Sequence, residues 1–296
     1  MIDVFNIPNS QQDISIFYSN GVLNSWQTWT KPRNCQWVWI MCIGAGGGGA
    51  GGNVGITTNG SSSGGSGGVT RAIFNASQLP DTLFIRVGLG GTGGASGSNG
   101  GDGGKCIISI LPNFMQTNGV LGTGNNPIAG NGGLTTGAAA AAEGAFASSS
   151  SVFSSLSTFL SVAGDNSTTS TLSPTNVTPL ISQVICSGAQ GAGYNTTTPV
   201  ARNGASINST NLSPLIPGGT GTIAASTNGG DGADGITSWK PFFATGGAGG
   251  GNSRFGVGGN GGKGGIGCSG GAGGASGVTG GRGGDGGDGI VIIIAF

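Results

Sequence analysis

Gly258-Gly259-Asn260-Gly261-Gly262-Lys263-Gly264-Gly265 and, further on, Gly280-Gly281-Arg282-Gly283-Gly284-Asp285-Gly286-Gly287-Asp288-Gly289 repeat Gly-Gly-X with a period of three. That period matches the extended left-handed helix of polyproline II geometry, with three residues per turn and a rise of about 3.1 Å. Such a helix has no internal hydrogen bonds, so its backbone N–H and C=O groups need partners outside it. Two of every three positions lack a Cβ, which lets neighbouring helices come close enough to supply them. The competing reading is a flexible low-complexity linker. Two features oppose it: the tracts alternate with apolar strands that need pairing, and the X residues are diverse rather than Ser-dominated.

The same alternation runs outward from this segment. Glycine tracts occupy 44–68, 88–104, 118–137, 188–193, 218–235 and 246–289. Between them lie short runs rich in Ile, Val, Phe and Trp that read as strands over 37–43, 69–75, 82–88, 105–111, 181–187 and 289–296. Ile290-Val291-Ile292-Ile293-Ile294 is apolar on both faces, which predicts a central strand buried on both sides. In 37–43, Trp37, Trp39 and Met41 point one way and Val38, Ile40 and Cys42 the other. The fold class expected is all-β: a short-stranded, sandwich-like core with packed polyglycine II segments and one short helical insertion. The insertion is 138–180, where Val152, Phe153, Leu156, Phe159 and Leu160 fall on one helical face. Ser148–Ser151 would supply its N-cap and Gly164 its stop.

Four segments follow: residues 1–30, an N-terminal arm or first strand containing Ile14-Ser15-Ile16-Phe17-Tyr18; 31–137, the first half of a glycine-rich β domain; the insertion 138–180; and 181–296, the second half.

Composition excludes several function classes. Glycine accounts for 69 of 296 residues, and charged residues make up 7 % of the chain, where an ordinary domain carries about 25 %. Ten Lys+Arg balance ten Asp+Glu, leaving no basic face for nucleic acid. The chain has no histidine, which removes His-dependent acid/base catalysis and His-ligated metals. Cys35, Cys42, Cys106, Cys186 and Cys268 form no CxxC pair and mostly sit in apolar runs, as buried free thiols do. No apolar run reaches the ~20 residues needed to span a bilayer. Met1–Asn20 lacks the pattern of a secretory signal, so delivery outside a cell is expected by another carrier, such as a virus particle.

No credible active site emerges, and neither catalytic, cofactor nor metal residues are expected; the protein reads as a non-enzyme. G-x-G-x-x-G matches are unavoidable at this glycine content, and none lies between a strand and a helix with an acid downstream. Gly104-Lys105 and Gly262-Lys263 lack P-loop spacing. Three glycine turns lead into strands: Gly100-Gly101-Asp102-Gly103-Gly104, Gly229-Gly230-Asp231-Gly232-Ala233-Asp234-Gly235 and Gly283-Gly284-Asp285-Gly286-Gly287-Asp288-Gly289. The last two match a calcium-binding nonapeptide, but that fold needs tandem copies. The plainer reading is a turn whose Asp bonds its own backbone. Trp239, Phe242, Phe243, Phe255 and Tyr194 are either packing groups under the glycine helices or a sugar- or peptide-binding surface.

Trp29-Thr30-Lys31-Pro32, the strand 37–43 with Gly44-Ala45-Gly46-Gly47-Gly48-Gly49, Leu83-Phe84-Ile85-Arg86-Val87-Gly88 and Gly284-Asp285-Gly286-Gly287-Asp288-Gly289 with its final strand together resemble the glycine-rich domain of bacteriophage and other viral fibre and virion proteins. The match covers roughly 29–110 and 181–296; Arg33-Asn34-Cys35 and the 138–180 insertion depart from it. A related similarity is to phage tail-tip adhesins, whose polyglycine helices carry host-contacting loops. The resemblance implies a viral structural protein on the particle surface: a fibre, spike or decoration subunit contributing to host attachment. Implied partners are other copies of the chain as a homotrimer, other virion proteins, and a host surface glycan or protein, with neither nucleic acid nor a membrane span. Loops 118–137 and 188–217 are the candidates for the exposed face. The alternative is a non-viral extracellular structural glycine-rich protein, disfavoured by the missing secretory signal, or an ice-binding one, disfavoured by the absence of a uniform Thr or Ala row at X.

Overall fold

The computed structural model describes residues 13–23, 25–55, 57–110, 157–162, 172–179, 184–211 and 213–296. Its centre is a five-stranded antiparallel sheet in the order β1 (Asp13–Tyr18), β12 (Ile290–Ala295), β3 (Trp37–Ile43), β5 (Val69–Asn75), β8 (Ser157–Val162). β12 sits between β1 and β3, with Ile292 opposite Ile16 on one side and Met41 on the other. All six of its residues are buried. A second sheet is formed by β2 (Gln27–Thr30), β6 (Thr82–Arg86) and β7 (Ile107–Ser109), and a short antiparallel pair by β4 (Thr57–Thr58) and β9 (Tyr194–Asn195).

Strand alternation divides the core into two layers. Val291, Ile293 and Ala295 join Val38, Ile40 and Cys42 against Trp29, Leu83, Ile85 and Ile108 of the three-stranded sheet. Ile290, Ile292 and Ile294 turn the opposite way, with Met41 and Ile43, onto Val184, Ile185 and Cys268. The hairpin of β10 (Thr237–Trp239) and β11 (Phe242–Ala244) packs on this second face through Trp239 and Phe242. Fully burying an Ile is worth about 1.5–3 kcal/mol, so β12 draws on both layers at once. The architecture is all-β, a sandwich of two unequal sheets.

Two expectations need correction. Phe159 and Leu160, placed on a helical face by their spacing, lie in β8, where Phe159 is opposite Ala72 of β5. The edge of β5 offers backbone partners to the Ser-Thr-Phe-Leu-Ser-Val run, whose Thr, Phe and Val suit a strand, and that pairing outweighs a weak helical period. Val152, Phe153 and Leu156 lie outside the described residues, as do the N-cap Ser148–Ser151 and the stop Gly164. Residues 184–187 form no strand, although Val184, Ile185 and Cys186 are buried.

Strands run directly into glycine tracts. β3 continues as 44–53, 60–68 leads into β5, β6 continues into 88–97, 98–104 leads into β7, and 279–289 leads into β12. The tracts pack side by side as helices of three residues per turn. Along 268–276, successive N–H groups donate in rotation to three neighbours: Gly270 to Gly47, Gly271 to Gly262, Ala272 to Ala189, then Gly273 to Ala50, Gly274 to Gly259 and Ala275 to Ala192. Its carbonyls accept from three more segments, as in Gly284 to Gly271, Gly250 to Ala272 and Gly64 to Gly270. Segment 268–276 is therefore ringed by six others, the hexagonal arrangement of packed threefold helices. Tracts from both glycine-rich halves share this one array.

Close approach, more than unusual dihedrals, dictates the glycines here. Among the described glycines only Gly21, Gly55, Gly97 and Gly267 have positive φ. A Cβ at Gly271 would be driven into the Ala248 carbonyl, and one at Gly259 into that of Gly230. The X residue follows its place in the array. Inside it is Ala or Ser, as at Ala50, Ala248, Ser269, Ala272 and Ala275, all fully buried. On the outer layer it is Thr92, Asp231, Asp234, Asn260, Lys263 or Arg282, all at least partly exposed.

Candidate functional site

The outer layer comprises 88–97, 279–289, 257–266 and 229–236, joined through bonds such as Gly286 N–H to Gly91, Gly261 to Arg282 and Gly232 to Asn260. A helix at the layer's edge lacks a neighbour on one side, and polar X side chains supply the missing acceptors. The Asp288 carboxylate accepts from Gly90 N–H at 2.7 Å and Asp285 from Gly93 at 2.8 Å. Asp231 accepts from Asn260 at 2.6 Å, Asp234 from Lys263 at 2.7 Å, and the Asn260 side-chain oxygen from Arg282 N–H at 2.8 Å. Each of these bonds crosses to another tract, so the reading that these Asp bond their own backbone is corrected. Asp285 also holds Arg282 Nη2 at 2.6 Å. Among the described residues, no three His, Cys, Asp or Glu side chains converge.

The far end of the array, opposite the sheets, is built from the loops that reverse the tracts, namely the described residues of 53–59 (53–55 and 57–59), 95–99, 194–202, 222–229, 253–257 and 276–280. They are tied together by bridges pairing Val54 with Ser276, Ser276 with Ser253, Ser253 with Thr222, and Val257 with Thr279. The Ser276 hydroxyl donates to Gly256 O at 2.6 Å and that of Ser253 to Thr227 O at 2.7 Å. The Asn252 amide clamps Gly193 O and Val200 O, and its oxygen accepts from Arg202 N–H. Tyr194 is buried beneath. Over this fixed platform stand Val54, Val200, Ile223, Phe255, Val257 and Val278, each between 41 and 57 % exposed. Arg254 lies over the Phe255 ring, 4.6 Å from its centroid. The six loops contain Arg202 and Arg254 and no Asp, Glu or Lys.

Residues 21–296 match the profile of a family described as a glycine-rich domain. The chain belongs to that family. No curated protein matches it. The match takes in every tract of the array and every strand of the two sheets except β1, so the array and its tip are features of a glycine-rich domain rather than additions to one.

The sequence-predicted surface residues separate in this glycine-rich domain. Of 188–217, segment 188–193 is buried inside the array, while 194–202 reaches the tip; 118–137 lies outside the described residues. Trp239 and Phe242 pack on the second core layer, their rings 5.4 Å apart, with Tyr18 edge-on to Trp239 at 6.2 Å. Phe255 alone of the singled-out aromatics stands on the tip. Val54, Ile223 and Val278 belong to no motif in the sequence. Their signal was the placing of large apolar residues in otherwise small, uncharged turns between tracts.

The cysteines of the glycine-rich domain are free thiols, and all except Cys35 are buried. Cys106 donates to Ile43 O at 3.0 Å and accepts from Gly88 N–H at 3.3 Å, closing the junction between sheets and array. The hydrogen bond shared with Cys106, together with burial, pushes the Cys42 thiol well above its ordinary value. The Cys42 thiol is thereby held protonated, an inert structural group. No helix among the described residues is long and apolar enough to cross a membrane.

Proposed function

We propose that this glycine-rich domain is a structural subunit of a virus particle's surface, a fibre, spike or decoration protein, that makes host contacts through the loop tip. The observation that carries this reading is the tip: six large apolar side chains exposed together at the end of a tightly bonded post. Soluble proteins rarely expose contiguous apolar surface without a partner for it. The array supports the reading because its backbone bonding fixes the tip at the end opposite the sheets. Closed assembly, with a homotrimer as our choice, would multiply weak tip contacts by copy number.

Quantitative mass spectrometry of purified particles from the source culture tests the placement. A few copies relative to the major shell protein support a fibre or spike, and a near-equal ratio supports decoration. Absence from particles refutes it. Adsorption of particles in the presence of the isolated chain tests the attachment role: competition is expected, and unaltered adsorption at saturating protein contradicts it.

One observation favours an ice-binding alternative, namely the regular outer layer with X side chains at every third residue. Those side chains are Asp, Asn, Lys and Arg as well as Thr. Thermal hysteresis decides between the two readings.

A further inference from the structure

Charge is segregated along the length of the array. The outer layer bears Asp231, Asp234, Asp285 and Asp288 with Lys263 and Arg282, while the tip loops carry only two cations and no acid. The apolar side chains at the tip are mostly aliphatic, Val54, Val200, Ile223, Val257 and Val278, and stand on separate turns. Arg254 spreads its guanidinium over the Phe255 ring beside these residues. Arg202, by contrast, has Nη1 buried, and its backbone is clamped by Asn252.

From this arrangement we infer that the tip docks on the surface of an anionic lipid bilayer. The apolar side chains would enter the boundary between headgroups and acyl chains while Arg254 meets lipid phosphates and carboxylates. The chemistry fits on both counts. Apolar groups at an interface gain from leaving water, and a cation near an anionic leaflet is attracted by roughly 1 kcal/mol, which falls within a Debye length. A tip free of carboxylates meets no repulsion there. The flanking Asp residues further down the array would keep the rest of the post off the surface. The inference rests on the attachment reading and names the surface that the tip engages.

The test is flotation of the full-length chain with vesicles of phosphatidylcholine alone and of phosphatidylcholine mixed with phosphatidylserine. Binding to the mixed vesicles, weakened by added salt, is expected, with little binding to phosphatidylcholine. Arg254→Gln should weaken binding about fivefold. Phe255→Ser combined with Ile223→Ser should weaken it by about tenfold or more, and Lys263→Gln on the flank should leave it unchanged. Val278→Ser serves as an independent apolar variant should the double variant not fold. Absence of binding to the anionic vesicles, or binding that the tip variants leave intact, overturns the inference. If no vesicles bind yet the tip variants still lower particle adsorption, the lipid partner is wrong and the attachment reading survives.

Discussion

Asp288 and Gly90, 198 positions apart in the chain, are joined by a 2.7 Å hydrogen bond from the glycine N–H to the carboxylate. At that point a side chain takes the place of a neighbouring helix. A packed array of threefold helices satisfies its backbone only where every helix is surrounded, and its border must be finished by side chains reaching across from the next tract. Asp231, Asp234, Asp285 and Asn260 repeat the device. This account makes separable predictions for the array interior, its border and the strands.

In the interior, Gly271→Ala should be severely destabilising, because its Cβ would be driven into the backbone carbonyl of Ala248 rather than into a side chain able to move. A loss above about 3 kcal/mol is expected, at the upper end of overpacking effects. Lys263→Ala, at an X position facing outward, should change stability by no more than about 0.5 kcal/mol. Urea unfolding of the two variants gives the comparison, and equal effects would contradict the packing.

At the border, Asp288→Ala removes the acceptor for Gly90 N–H and should lower the thermal midpoint, whereas Asp288→Asn keeps an acceptor and should stay near the parent. Single border bonds are exposed, so the expected shift is small, on the scale of about 1 kcal/mol or less for a hydrogen bond. Differential scanning calorimetry reads it. Alanine and asparagine variants that melt together would refute the role assigned to the carboxylate.

In the central strand, Ile292→Ala should cost about 2–5 kcal/mol, as for other buried Ile truncations, since Ile292 is fully buried beside Met41 and opposite Ile16. Ile14→Ala, at a position 39 % exposed on β1, should cost far less. Equilibrium denaturation of both variants measures the contrast.

Stability at alkaline pH depends on one thiol. The Cys42 thiol has a raised folded-state pKa, so the folded chain holds this proton more tightly than the unfolded chain. Its contribution to stability is full below the ordinary thiol value of 9.0 and is lost as pH rises above it. Denaturation midpoints should therefore fall between neutral pH and strongly alkaline pH, and Cys42→Ala should reduce that fall. A thiol reagent applied to the native chain should modify Cys35 rapidly and the buried cysteines only after denaturation.

Much of the fold was legible in the sequence because two strong periodicities encode it. Strands 37–43 and 69–75 form over the residues read from their apolar runs, and the wholly apolar 290–294 is the doubly buried central strand. β6 and β7 are shorter than read, since residues next to the glycine tracts adopt the helical array instead. Phe159 and Leu160 misled because a short helical spacing and an edge pairing are compatible with the same few apolar residues. The Asp turns were visible as motifs, but their partners were not: Gly90 and Gly93 lie in another tract entirely. The tip was hidden for the same reason. Nothing local to Val54, Ile223, Phe255 or Val278 shows that four separate turns converge on one end of the molecule.

Hydrogen–deuterium exchange resolved over 268–276 tests the array most directly, because the placement of both the border carboxylates and the tip depends on it. With six neighbouring segments bonded to it, this stretch should exchange as slowly as strand β12, while the tip loops 222–229 and 253–257 exchange faster. Exchange of 268–276 at the rate of an unstructured glycine linker would contradict the account.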